Sequence, residues 1–101
     1  MPAVRLAPEA ELELDEIWLY LARSSGNLEV ANRFVDKITD QFWLLARHPY
    51  LGRRRYHDLR AGLRTITVDD YVIVYRVDVD QCVLILHIFH GKQDIPSLIH
   101  D

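Results

Sequence analysis

A chain of 101 residues with half of its positions hydrophobic is long enough for one packed core and too short for two, so a single domain over 1–101 is expected. Its longest uninterrupted apolar run, Ile17 to Ala22, is far below the roughly 20 residues that cross a bilayer. The N-terminus has no charged start leading into an apolar signal core, which predicts a cytoplasmic protein with no membrane role. The net charge of −3 is unevenly laid: Arg47 to Arg64 holds six arginines and one acid, Asp58, a net +5 that leaves −8 for the remainder. Such a chain has no overall positive field to drive non-specific nucleic-acid binding, and no direct sequence-specific binding to nucleic acid is expected.

In chain order, Ala3 to Ala7 alternates as a short strand does, and Pro8 then supplies the fixed φ favoured at a first helical position. Glu9, Glu11, Glu13, Asp15 and Glu16 crowd the positive end of that helix, while Ala10, Leu14, Ile17 and Leu21 recur at helical spacing. Ser24, Ser25 and Gly26 stop it. Asn27 is an N-cap for a second helix in which Ala31, Phe34, Val35, Ile38, Phe42 and Leu45 repeat the spacing until Pro49. So short a break predicts an antiparallel helical hairpin.

Residues 50–61 read as a loop. Leu63 to Val68, Tyr71 to Val77 and Cys82 to His90 are strand-like runs rich in Val, Ile and Tyr, separated by short acidic breaks that suit hairpins. The expected fold is α+β in the order β-α-α-β-β-β, with a helical hairpin on one face of a mainly antiparallel sheet and the first strand added at an edge. Both faces of the strands look apolar: Tyr71, Ile73, Tyr75 and Val77 lie opposite Val72, Val74 and Arg76, and Leu84, Leu86 and Ile88 lie opposite Val83, Ile85 and Phe89. One hairpin covers one face, so the second is expected to be a partner surface unless residues 92–101 and the 50–61 loop cover it.

The helix signature of Ala10, Leu14, Asp15, Ile17, Trp18 and Tyr20 is followed by Leu45-Ala46-Arg47-His48-Pro49-Tyr50-Leu51-Gly52. Then come Gly62-Leu63-Arg64, Tyr71-Val72-Ile73-Val74-Tyr75-Arg76-Val77, and Val83 to His90 before Gly91-Lys92-Gln93-Asp94. This ordered set resembles the ParE toxins of the RelE/ParE superfamily across nearly the whole chain. The resemblance implies the toxin of a type II toxin–antitoxin pair, a ParD-like antitoxin held in a hetero-oligomer, and an action on DNA gyrase. The sister RelE branch, which the chain also resembles in fold, cleaves ribosome-bound messenger RNA with basic side chains and a tyrosine near the C-terminus. Here Gln93 stands where that pattern has arginine, and the tail from Asp94 to Asp101 has no tyrosine. A ribonuclease would have to be assembled from Arg64, Arg76, His87, His90 and Lys92, with groups to activate a hydroxyl and stabilise a phosphorane.

The candidate partner-binding residues are Trp18, Tyr71, Tyr75, Phe89, Arg53, Arg54, Arg55, Lys92 and Leu98. Trp18 and Trp43 are expected as core or groove walls where the helices pack. His87 and His90, three apart on a strand, point to opposite faces and cannot share a metal. Asp15 and Glu16 have nothing apolar placed to raise one pKa and are not a catalytic pair. The lone Cys82 rules out a disulfide framework and suits a core position. No metal or cofactor is expected.

Overall fold

The computed structural model describes residues 3–56 and 60–99. Strand β1 (Val4–Leu6) leads into α1 (Pro8–Ser25), and α2 (Leu28–Arg47) returns antiparallel to it. Then follow β2 (Arg53–Arg54), β3 (Arg64–Val68), β4 (Tyr71–Val77), β5 (Val83–His90) and a short helix, α3 (Ile95–Leu98). The α+β class and the helical hairpin predicted from the sequence are found. Pro8 opens α1, and Gly26 ends it with φ 65, the left-handed cap a residue without Cβ adopts freely. Asn27 accepts the Glu29 amide at 2.9 Å, satisfying a donor that α2 cannot satisfy internally.

The sheet has the order β1-β5-β4-β3-β2. β3, β4 and β5 form the expected antiparallel meander, and β1 joins β5 in parallel at one edge. Two corrections follow for the sequence expectation. Residues 50–61 are not all loop, because Arg53 and Arg54 pair with Thr65 and Arg64 as the opposite edge strand. The tail also carries α3, four residues with Pro96 in its first turn.

The helices cover one sheet face. Ala10, Ile17, Ile38, Phe42 and Leu45 meet Val68, Ile73, Tyr75, Val83, Ile85 and Ile88 there. The β4–β5 register passes from Val74↔His87 to Tyr75↔Ile85, so Leu86 has no partner and β5 bulges. The bulge shifts the inside–outside phase by one residue. Ile88 therefore joins Val83 and Ile85 beneath the helices, and Phe89 joins Leu84 and Leu86 on the other side, against the strict alternation read from the sequence. His87 and His90 still fall on opposite faces, since their β4 partners are Val74 and Tyr71.

The second face is not bare. Leu63, Val72, Val74, Leu86, Phe89 and Ile95 are buried in one cluster with Tyr56, Leu84, Leu98 and Ile99 packed on it. The tail, with Tyr56, thus covers the face assigned from sequence to a partner. Two apolar positions also differ from expectation: Trp43 is 58 % exposed and Cys82 is only half-buried; Trp18 is half-buried between the helices, its Nε1 donating to Asn32 Oδ1 at 2.8 Å.

Candidate functional site

At the corner between α2 and β2, Tyr75 reaches out of the core. It is fully buried, donates its hydroxyl hydrogen to Pro49 O and accepts the Gly52 amide, each at 2.8 Å. Arg64 donates to Gly52 O at 2.9 Å and lies 5.1 Å from the Tyr50 ring centre. These contacts pin Pro49–Gly52 against the sheet, so the chain leaves it with Arg53, Arg54 and Arg55 exposed. Tyr75 is consequently a latch within the fold and not the partner contact the sequence suggested.

Burial raises the Tyr75 pKa above its usual value near 10, although the Gly52 hydrogen bond and the Arg64 charge pull the other way. The unfolded chain then loses this proton first. Stability contributed by the latch is complete below about pH 10 and falls as pH rises through the folded value. Denaturant melts of the wild type and Tyr75→Phe between pH 8 and 11, the range of tyrosine ionisation, are expected to converge at the alkaline end. A difference between them that stays constant over that range would refute this account.

At the other edge of the sheet β1 runs out at Ile85 and leaves β5 uncovered. Glu13 takes the place of a strand: its carboxylate accepts the Ile88 amide at 2.9 Å and faces His87 Nδ1 at 3.1 Å. The His87 ring stacks on Phe89 with centroids 4.5 Å apart. His90 meets Tyr71 edge-on at 5.1 Å, its amide donates to Gln93 Oε1, and its Nδ1 accepts the Lys92 amide. A cavity of about 350 Å³ lies here, lined by Glu16, Tyr20, Tyr71, His90 and Gln93 among others. Burial, then Tyr20 and Asp70, raise the Tyr71 pKa. Glu13 went unread in the sequence, where it passed for one more first-turn acid. Its place three residues after Ala10 and four before Ile17, on the inward stripe, was the available signal.

Of the five basic groups named from the sequence for a ribonuclease, Arg64, Arg76, His90 and Lys92 do not converge. Arg64 is held by Gly52 O, and Arg76 donates to Asp78 Oδ1 at 2.7 Å. Arg76 pairs with Leu84 and Tyr71 with His90, so five residues of β4, about 17 Å at 3.3–3.4 Å each, separate Arg76 from His90. Lys92 lies beyond His90, exposed. One phosphate cannot be gripped from both ends of a strand. Among the described residues no three His, Cys, Asp or Glu side chains are grouped to hold a metal ion.

Of the partner candidates, Arg53, Arg54, Arg55 and Lys92 are exposed and Trp18, Tyr71 and Leu98 are half-buried. Phe89, 5 % exposed, is core like Tyr75. The bulge and the tail account for this, since together they seal Phe89 under Ile95 and its neighbours. Sequence reasoning missed Leu12 and Leu19, seven apart on α1 and both exposed; that spacing places them on one outer face.

This architecture recurs in solved structures of bacterial toxin–antitoxin systems. The structure superposes on a chain of the chromosomal ParDE TA system of P. aeruginosa with a TM-score of 0.76 at 24 % identity, over 91 % of this chain and 98 % of that one. A chain of the RelBE2 complex of Mycobacterium tuberculosis gives 0.63 at 23 % identity, over 89 % and 99 %. In sequence, the family described as ParE toxin of type II toxin-antitoxin system, parDE, matches residues 4–95. Toxin ParE3 of Caulobacter vibrioides is 34 % identical over 84 % of this chain and 82 % of its own length, and Toxin RelE3 of the same organism is 32 % identical over 92 % and 98 %. The chain belongs to the ParE toxin family of type II toxin–antitoxin systems.

Proposed function

We propose that this toxin acts by binding a protein target, DNA gyrase, and that a ParD-like antitoxin neutralises it in a hetero-oligomer. The observation that carries the reading is the dispersal of Arg64, Arg76, His90 and Lys92 over opposite ends of the sheet, with two of the arginines already engaged. A cleaving site needs a proton acceptor and several cations around one phosphate, and losing one such positioned group typically costs on the order of a hundredfold in rate. A surface that works by contact needs none of this. The name of one relative, Toxin RelE3, keeps ribosome-dependent cleavage as the second reading.

Expression without the antitoxin is expected to arrest DNA replication and leave transcripts intact. Purified toxin is expected to inhibit supercoiling by gyrase. Substitutions in the segment from Lys92 to Leu98 are expected to weaken inhibition while antitoxin binding survives. Primer extension on transcripts from induced cells, run beside the supercoiling assay, decides between the readings: discrete ribosome-dependent cuts with normal gyrase activity would move the protein to the nuclease branch.

A further inference from the structure

The outer side of β3 carries features that the toxin reading leaves unused. β2 pairs only with Arg64 and Thr65, so among the described residues no strand flanks Ile66 to Val68 there. The Arg55 amide donates to Leu63 O. Alternation along an antiparallel strand then turns the backbone groups of residues 65 and 67 to the same side. Thr65 is met by Arg53, whereas Thr67 is exposed and, among the described residues, has no strand on its outer side. Residues that would have continued β2 past Thr67 are diverted into the corner by the Tyr75–Gly52 hydrogen bond.

What remains is a cavity of about 570 Å³ lined by Leu51, Arg53, Arg54, Arg55, Ile66 and Thr67 and their neighbours. Among the described residues no carboxylate lies within ion-pair distance of Arg53, Arg54 or Arg55. The Arg55 guanidinium lies over the face of Tyr56, at 4.9 Å.

We propose that this edge takes an extended acidic segment of a protein partner, which pairs its backbone with Thr67 and lays carboxylates on Arg53, Arg54 and Arg55. Main-chain pairing supplies affinity in such strand addition, and the side chains supply selection. Arginine forks suit carboxylates, and their exposure suits steering of an oppositely charged chain. Phosphates are acceptors only, whereas the Thr67 backbone presents a donor and an acceptor together. The far end of the edge carries Asp69 and Asp70, with Asp69 bridged to Lys37 at 2.9 Å. The acids of the incoming segment therefore belong at the arginine end. This proposal goes beyond the toxin reading and holds whichever target the toxin disables.

The test uses the full-length, isotope-labelled protein and a fluorescent peptide of about eight residues, a usual strand length, alternating Glu and Thr. Alternating Lys and Thr, and a single-stranded DNA oligonucleotide, serve as controls. Saturable binding of the acidic peptide is expected, weakening with salt, with amide shifts confined to Arg53–Arg55 and Thr65–Val68. Changing the three arginines to Ala is expected to raise Kd about tenfold or more, as loss of charge-assisted bonds does. Thr67→Pro removes the outward amide at an edge that tolerates proline and is expected to weaken binding with an unchanged circular dichroism spectrum. If that variant misfolds, a backbone N-methylated peptide tests the same pairing from the other side. Tighter binding of the oligonucleotide, shifts elsewhere on the molecule, no saturable binding, or an unchanged Kd in the arginine variant would overturn the proposal.

Discussion

Replacing Gly52 with Ala is expected to destabilise the protein by about 3 kcal/mol, lowering the melting temperature by roughly 12–24 °C for a domain of this size. The cause is space and not backbone freedom. A Cβ built on Gly52 would lie 2.5 Å from the Tyr75 hydroxyl oxygen, 2.7 Å from its ring and 2.8 Å from the Thr65 carbonyl oxygen. None of these can yield cheaply. The Tyr75 ring is fully buried, and Thr65 is tied into pairs with both Arg53 and Val74. Overpacking of this kind costs about 1–3 kcal/mol, and displacing the ring strands the Gly52 amide for about 1–3 kcal/mol more. Tyr75→Phe should incur only the second cost. Adding it to Gly52→Ala removes the hydroxyl contact but not the ring and carbonyl contacts, so the double variant is expected to be less destabilised than the sum of the two singles. Chemical denaturation of the four proteins measures this. A Gly52→Ala stability within about 0.5 kcal/mol of wild type, the usual range for neutral surface changes, would show that the corner is not pinned as described.

Much of the fold was legible because local signals and the tertiary solution agree. Pro8, Gly26 and Asn27 bound the helices as read, and the apolar spacing of α1 and α2 marks the faces that meet the sheet. What escaped notice had physical reasons. A two-residue strand of arginines has no β-type composition, so β2 was invisible until Thr65 and Arg64 were seen beside it. The bulge at Leu86 inserts one residue into a period of two, and nothing in Val83 to His90 announces where the phase slips. At the candidate site the exposed arginines were legible as charge. The burial of Phe89 was not, because an apolar strand face reads the same whether its own tail or a partner covers it; that of Tyr75 was not, because nothing in the strand itself says which of its two apolar faces the helices take.

That tail provides the second large effect. Ile95, 5 % exposed, is the residue of α3 most deeply set into the second cluster. Ile95→Asp is expected to cost about 2–3 kcal/mol, since burying such a side chain contributes roughly 1.5–3 kcal/mol and a carboxylate cannot take its place unpaired. The loss has a ceiling. α3 is a four-residue helix held by the Ile95, Leu98 and Ile99 side chains and a few local hydrogen bonds, such as Ile99 N–H to Ile95 O at 3.2 Å. It can lift off while the helices keep the other sheet face covered. A chain ending at Gln93 is therefore expected to match Ile95→Asp in stability to within about 0.5 kcal/mol, because both remove the same local docking free energy. Each should bind a hydrophobic dye that the wild type does not, through the uncovered Val72, Val74, Leu86 and Phe89. If Ile95→Asp proved much more damaging than truncation, the tail would be an integral part of the core. The gyrase measurement would then need surface substitutions such as Lys92→Ala, because a change at Ile95 would report unfolding and not lost contact.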